Sequence, residues 1–174
     1  MSSIEVLDGF SAGYGASVSD VVANAAGTGL YWGQQALWNE TRIYPKYSFH
    51  RTRYAPIRPS LLGHGLAEEM LKDYNGQTQW LSVDMDKFMR FPKWLNFSLG
   101  MGAEGMVYAT DASNRNAGYN PYRKFFVGVD FDLTAFKSKS KVLNTLIYVA
   151  NMVRLPAPAI EFSQHKTKGH WFYF

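Results

Sequence analysis

The chain has 174 residues, 18 Lys and Arg against 14 Asp and Glu for a formal net charge of +4, and 16% aromatic beside 18% charged residues. That length suits one domain, read here as residues 1–174, with a real core, and so few charges among so many rings exclude a disordered chain. With no Cys, disulfides, zinc–thiolate sites, iron–sulfur clusters and thiol nucleophiles are all excluded.

The opening, rich in glycine and aromatic residues (Gly9, Phe10, Gly13, Tyr14, Gly15), leads to Ser17-Val-Ser-Asp20, an N-cap followed by an acidic first turn. A helix is expected from Val18 to Trp38. Asp20, Asn24 and Thr28 form its polar face, whereas Ala25, Gly29 and Gly33 recur every four residues on another. Small residues at that spacing allow close helix packing, inside a membrane or in a tight soluble interface. No uninterrupted apolar run approaches 18 residues, so no transmembrane helix is expected, and the N-terminus lacks the basic and apolar regions of a signal peptide.

Arg42–Tyr54 reads as extended, and Pro45 within it suits an edge strand or a bulge. Ser60–Tyr74 reads as a short helix, stopped by Asn75-Gly76. Strands are expected over Gln77–Met85, Trp94–Tyr108 and Lys124–Leu133. In the last of these Phe125, Val127, Val129 and Phe131 alternate with Phe126, Gly128, Asp130 and Asp132. Asp111–Asn120 has the composition of a hairpin loop. Ser138–Val153 shows an amphipathic stripe (Val142, Leu143, Leu146, Ile147, Ala150, Val153), which is core by default. Extended stretches Ala159–Phe162 and Gly169–Phe174 close the chain. The expected fold is α+β: an antiparallel sheet, curled toward a small or partial β-barrel, packed with two or three helices.

Gly100-Met-Gly102-Ala-Glu-Gly105 spells G-x-G-x-x-G, but no helix follows to hold a pyrophosphate. Glycines in such a strand mark a bulge, a bend at a barrel corner or close packing under aromatic rings instead; no cofactor is expected. His64 and Glu68 stand four apart without a third ligand at diagnostic spacing, so no metal is expected. His165 and His170 flank a turn. The carboxylates Asp84 and Asp86 share one face of a strand, and Glu104 is the one charge in a run from Trp94 to Thr110; once buried it needs a cationic partner. Glu104, Asp84, Asp86 and His64 are therefore the candidate acid–base groups. Lys and Arg are scattered, which argues against nucleic acid as a partner. The terminal His-Trp-Phe-Tyr-Phe174 has the aromatic alternation of a last outer-membrane strand, although Lys166, Lys168 and His170 fall in register with Phe172 and Phe174.

Several short motifs in fixed order carry a resemblance: Asp8-Gly-Phe-Ser11, Ser19-Asp20-x-x-Ala23-Asn24-x-x-Gly27, Lys72-Asp-Tyr-Asn-Gly-Gln-Thr78 with Trp80-Leu-Ser82, and Pro92-Lys-Trp-Leu-Asn96 leading to Gly102-Ala-Glu-Gly-Met106. In these the chain resembles the carboxy-terminal part of the predicted periplasmic lipoproteins of unknown function, the YfiM-like proteins of Gram-negative envelopes. Members carry an upstream region with an export signal, and the lack of Cys here argues against lipidation. The resemblance implies an address, the outer membrane or its periplasmic face, and no catalytic residues. The leading expectation is a non-enzymatic structural or binding role there, with lipid or envelope proteins as partners. The alternatives are an envelope hydrolase or lipid-modifying enzyme using Glu104, Asp84, Asp86 or His64, and a lipocalin-like ligand-binding barrel.

Overall fold

The computed structural model describes residues 18–164 and 166–174, with side chains from residue 21 onward. The glycine-rich opening, His165 and the side chain of Asp20 lie outside the described residues. The chain divides into two compact units, residues 1–42 and 43–174.

In the first unit, helix α1 spans Val18–Trp38, as expected. It ends at Asn39, whose φ of 52° is the left-handed conformation that asparagine tolerates. The Gln34 side-chain oxygen then accepts the Arg42 N–H at 2.8 Å. Asn24 is half-buried, and Ala25, Thr28 and Gly29 are exposed. Nothing among the described residues lies within 4 Å of where a Cβ on Gly29 or Gly33 would stand.

The second unit is built on one six-stranded antiparallel meander in sequence order: β1 (Ile43–Phe49), β2 (Gln77–Val83), β3 (Leu95–Glu104), β4 (Tyr122–Phe131), β5 (Ala157–Ser163) and β6 (Lys166–Tyr173). The fold is thus α+β, and the sheet does not close. Pro45 lies exposed on edge strand β1, where a missing N–H does least harm. The expected helix over 60–74 is two pieces, α2 (Pro59–Leu62) and α3 (Leu66–Lys72). Gly63 separates them at φ 104°, and a Cβ there would stand 2.6 Å from the Glu68 carbonyl carbon. The stretch read as a hairpin loop contains a helix, α4 (Asp111–Asn116), capped by Thr110, whose hydroxyl accepts the Ser113 N–H. Asn114 stabilises it from within: its oxygen accepts the N–H groups of Val107 and Tyr108, and its amide donates to Tyr108 and Thr110.

Helix α5 (Lys141–Ala150) corrects a second expectation. Its stripe is not core: no residue of the helix is buried, and Val142, Leu143, Leu146 and Val149 are exposed. Periodicity of 3.6 places apolar residues on one face, but it does not supply a neighbour to cover that face.

The sheet is strongly curled. In a flat sheet β2 and β6 would lie about 19 Å apart, four strand spacings, yet Thr78 Oγ1 on β2 meets the Tyr173 hydroxyl on β6 at 3.1 Å. The Trp80, Phe126 and Tyr173 rings pack inside the curl, the last two with centroids 4.4 Å apart. On β1, Tyr47 exchanges backbone hydrogen bonds with Met152 and Arg154, so the segment before β5 covers part of that edge. A smaller cluster of Tyr54, Ala55, Leu62 and Val107 packs under α2 at one end of the sheet.

Glycines in β3 make the curl possible. A Cβ on Gly100 would stand 2.6 Å from the Trp80 ring, so the G-x-G pattern serves ring packing. We expect Gly100→Ala to displace Trp80 and cost about 1–3 kcal/mol, as overpacking does. Gly169→Ala, with nothing within 4 Å of its Cβ, should be close to neutral; denaturant midpoints of the two variants check this.

Candidate functional site

Side chains of a β-strand alternate between faces, and here the alternation runs opposite to that of a soluble sheet. The inner positions hold Lys46 and Ser48 on β1, Thr78 and Ser82 on β2, Asn96 and Ser98 on β3, Lys124 and Asp130 on β4, and Glu161 on β5, all buried. The outer positions of the four central strands hold Leu81, Phe97, Leu99, Met101, Phe125, Val127, Ile160 and Phe162, all exposed. A bulge sets β6 into the same scheme. Ala157 pairs with Tyr173 but Ala159 with His170, so β6 carries one residue more than β5 across that step. The extra residue turns Tyr173 inward with His170 and leaves Trp171 and Phe172 both exposed. This resolves the register conflict of the sequence: Phe172 does not share a face with Lys168 and His170.

The inner face is organised around one ion pair. Lys46 Nζ lies 2.6 Å from Asp130 Oδ2, and neither side chain exceeds 1% exposure. The ammonium also donates to the Phe131 carbonyl at 2.8 Å and to Asn151 Oδ1 at 3.0 Å. The Ser82 hydroxyl donates to Asp130 Oδ2 at 2.6 Å and accepts from Asn96 Nδ2 at 3.2 Å. These bonds replace part of the hydration that a buried pair loses, while Asp130 Oδ1 has no hydrogen-bond partner among the described residues. Farther along the interior, the Arg154 guanidinium stacks 3.9 Å from the Trp80 ring centroid and donates to the carbonyls of Tyr173 and Val129. His170 and Glu161 meet at 2.9 Å.

Glu104 does find the cations that burial demands. Lys124 Nζ lies 3.3 Å and Arg53 3.8 Å from its carboxylate, and the Tyr54 hydroxyl approaches at 3.4 Å. Next to it His50 is half-buried, and its imidazole is held below the ordinary range first by burial and then by Lys124. Asp84 and Asp86 sit at the opposite end of the sheet. The register places Thr78 against Gly102 and Val83 against Phe97, so the ends of β2 and β3 bearing Asp84 and Glu104 are separated by the full length of the strands. His64 is exposed in the α2–α3 turn, where its backbone N–H, not its ring, donates to Glu68. The four candidates therefore do not assemble into one constellation; only Asp84 and Asp86 meet. Asp84 is buried, and its carboxyl is pushed up to about 7 by burial first, then by its hydrogen bond with Asp86 and the charges of Asp86 and Asp132.

Among the described residues no group of three or more His, Asp or Glu could hold a metal ion. The curl is filled by Trp80, Phe126, Ala159 and Tyr173, where a lipocalin-like barrel needs an open apolar cavity. An apolar recess lies outside, a groove of about 460 Å³ between Phe97, Val127, Ile160 and Trp171. The sequence reading missed Lys46, Arg154 and Asn151. The signal for Lys46 was present in the alternation Tyr44, Lys46, Ser48, whereas Asn151 and Arg154 lie just past α5, where no periodicity applies. Compared with family models, curated proteins and solved structures, the chain matches none.

Two outcomes are expected from this interior. Lys46→Met strands a buried carboxylate and should cost about 3–5 kcal/mol, while adding Asp130→Leu should recover most of that loss; equal losses in single and double variants, read by denaturant titration, would contradict the role given to the pair. For Asp84, a carboxyl that keeps its proton in the folded state to about pH 7 but loses it near pH 4 in the unfolded chain destabilises the fold as pH rises across that window. Asp84→Asn should flatten that slope and raise the melting temperature at pH 8, a gain on the order of 1–2 kcal/mol, measured by thermal melts across that pH range.

Proposed function

We propose that this chain is a non-enzymatic protein of the bacterial cell envelope, at the outer membrane or its periplasmic face, whose curled sheet turns its outer surface to lipid in a structural or binding role. The observation that carries this reading is the inverted sheet: ion pairs and hydroxyls inside around one aromatic cluster, and a largely apolar face outside, interrupted on β2 by Gln77 and Gln79. Eight large apolar side chains on four adjacent strands are roughly half exposed. At about 1.5–3 kcal/mol for each full burial, covering what remains is worth roughly 6–12 kcal/mol. Monomers in water rarely leave such a surface open, whereas apolar-out, polar-in alternation is the pattern of strands in lipid.

Strand length supports the same reading. β3 and β4 have 10 residues each, and a tilted strand crosses the hydrocarbon layer with about 9–11. No helix among the described residues is long and apolar enough to cross a membrane, so contact with lipid falls to the sheet. Unpaired strand edges do not persist in hydrocarbon. The reading therefore requires the free edge of β6 and the uncovered part of the β1 edge to be paired when membrane-bound, by an envelope protein or a second copy.

The test uses fluorescence in reconstituted vesicles. With Trp32, Trp38, Trp94 and Trp171 changed to Phe, Leu99→Trp places a reporter midway along the outer face of β3, while Trp80 remains inside. Lipids brominated along their chains should quench the added emission by half or more and leave that of Trp80 unchanged. Equal emission with and without bromine, together with a monomer that stays in solution without detergent, would overturn the reading.

A further inference from the structure

The two ends of the sheet differ in how their charges are matched. At the end where β3 finishes and β4 starts, five cations have carboxylates beside them: Arg51 with Glu69 at 2.6 Å, Lys72 with Glu68 at 2.9 Å, Arg115 with Asp111 at 3.7 Å, and Arg53 and Lys124 with Glu104; the exposed Arg123, Lys166 and Lys168 of that end form no ion pair among the described residues. At the other end, the β2–β3 connection and the long β4–β5 connection leave the sheet side by side, because Val83 pairs with Phe97 and Phe97 with Val129. These two connections carry Lys87, Arg90, Lys93, Lys137, Lys139 and Lys141, all exposed. Among the described residues Arg90, Lys93, Lys137, Lys139 and Lys141 form no ion pair.

Two of the three acids in these connections, Asp84 and Asp132, are buried, and Asp86 is half-buried. Asp84 is buried and hydrogen-bonded with Asp86. Asp132 is buried, its Oδ1 accepting the N–H and hydroxyl of Thr134 at 2.8 and 2.7 Å. From residue 133 to 160 the sequence has no Asp or Glu. The exposed cations are interleaved with exposed apolar groups, Phe88, Met89, Trp94 and Phe136, and are followed by α5 with Val142, Leu143, Leu146 and Val149 uncovered. Unmatched cations beside an uncovered amphipathic helix are what an anionic interface attracts: the helix beds its apolar face at the acyl boundary while the cations meet headgroup charge.

We propose that this rim, with α5 lying in the interface, is the membrane-docking face of the protein and binds anionic phospholipid headgroups. The inference rests on the lipid-facing reading above and adds to it which end of the sheet meets the headgroups and which lipid charge it selects.

The experiment is vesicle flotation of the full chain, diluted from detergent onto phosphatidylcholine vesicles with or without phosphatidylglycerol. Binding should be tighter to the anionic vesicles and should weaken as salt is raised, since exposed charges are screened. Each cation near the surface contributes roughly fivefold in affinity, so Lys137→Gln, Lys139→Gln and Lys141→Gln together should lower anionic-vesicle binding roughly a hundredfold. Lys166→Gln with Lys168→Gln, at the opposite end, should leave binding within about twofold of the parent, on the same per-charge scale. Unchanged melting temperatures of both multiple variants keep the comparison one of binding. The proposal is overturned if the parent binds both vesicle types equally, if the triple variant binds as the parent does, or if a soluble DNA duplex displaces the vesicles, which marks a general polyanion patch. In any of these cases quenching of Leu99→Trp by brominated lipid still stands or falls independently, so the two failures are distinguishable.

Discussion

The Lys46–Asp130 pair constrains the whole second unit. β1 and β4 are not neighbours in the sheet, yet two of their side chains meet at 2.6 Å with almost no exposure. Such a pair is tolerated only where further hydrogen bonds replace lost water, and Ser82, Asn151 and the Phe131 carbonyl supply them. To bring β1 across to β4 the sheet must curl, and the curl in turn carries Tyr173 over Trp80 and Phe126. The chain then has one place for its large inner rings, and Gly100 is the residue that leaves it open.

Period-two alternation converts this interior into a rule for the exterior. Once Lys46, Ser82, Asn96 and Asp130 are fixed inside, the residues between them can only point out, and a one-residue slip would exchange the faces. The apolar outer surface is therefore the consequence of a polar core, not a separate feature. β6 illustrates the cost of departing from the rule. Its bulge opposite Ala157–Ala159 keeps Tyr173 inside as a plug while leaving Trp171 and Phe172 together outside. Alternation alone predicts one of those two rings inside.

Much of this was legible in the chain. Ser17 and Asp20 announced α1, whose span Val18–Trp38 emerges as read. Pro45 marked an edge, and the two faces of 125–132 separate as their alternation indicates. What stayed hidden depends on contacts between distant residues. Lys46 and Asp130 are 84 positions apart, and no local pattern ties them. The stripe of α5 resembled a core stripe because periodicity encodes a face but not its neighbour. Gly63 lies within the stretch read as one helix, and its φ of 104° and the nearby Glu68 backbone make it a break. Glu104 was singled out correctly as a charge in need of a cation, whereas its distance from Asp84 follows only from strand register.

The same register organises the distribution of charge along the strand axis. Three zones follow one another: an end where five cations stand 2.6–3.8 Å from a carboxylate, a middle with apolar side chains outside and the Lys46–Asp130 pair inside, and an end where Asp84 and Asp132 are buried while the cations remain outward. Water suits the first zone, because matched surface pairs contribute little and tolerate solvent well. Hydrocarbon suits the second, because no outward charge has to be desolvated there. The third is neither, since exposed rings and aliphatic side chains beside unmatched cations are poorly served by water or by hydrocarbon alone. Under the lipid-facing role proposed above, a boundary between the two would suit all three zones at once, and the 10-residue length of β3 and β4 is of the order of the layer that such a boundary encloses.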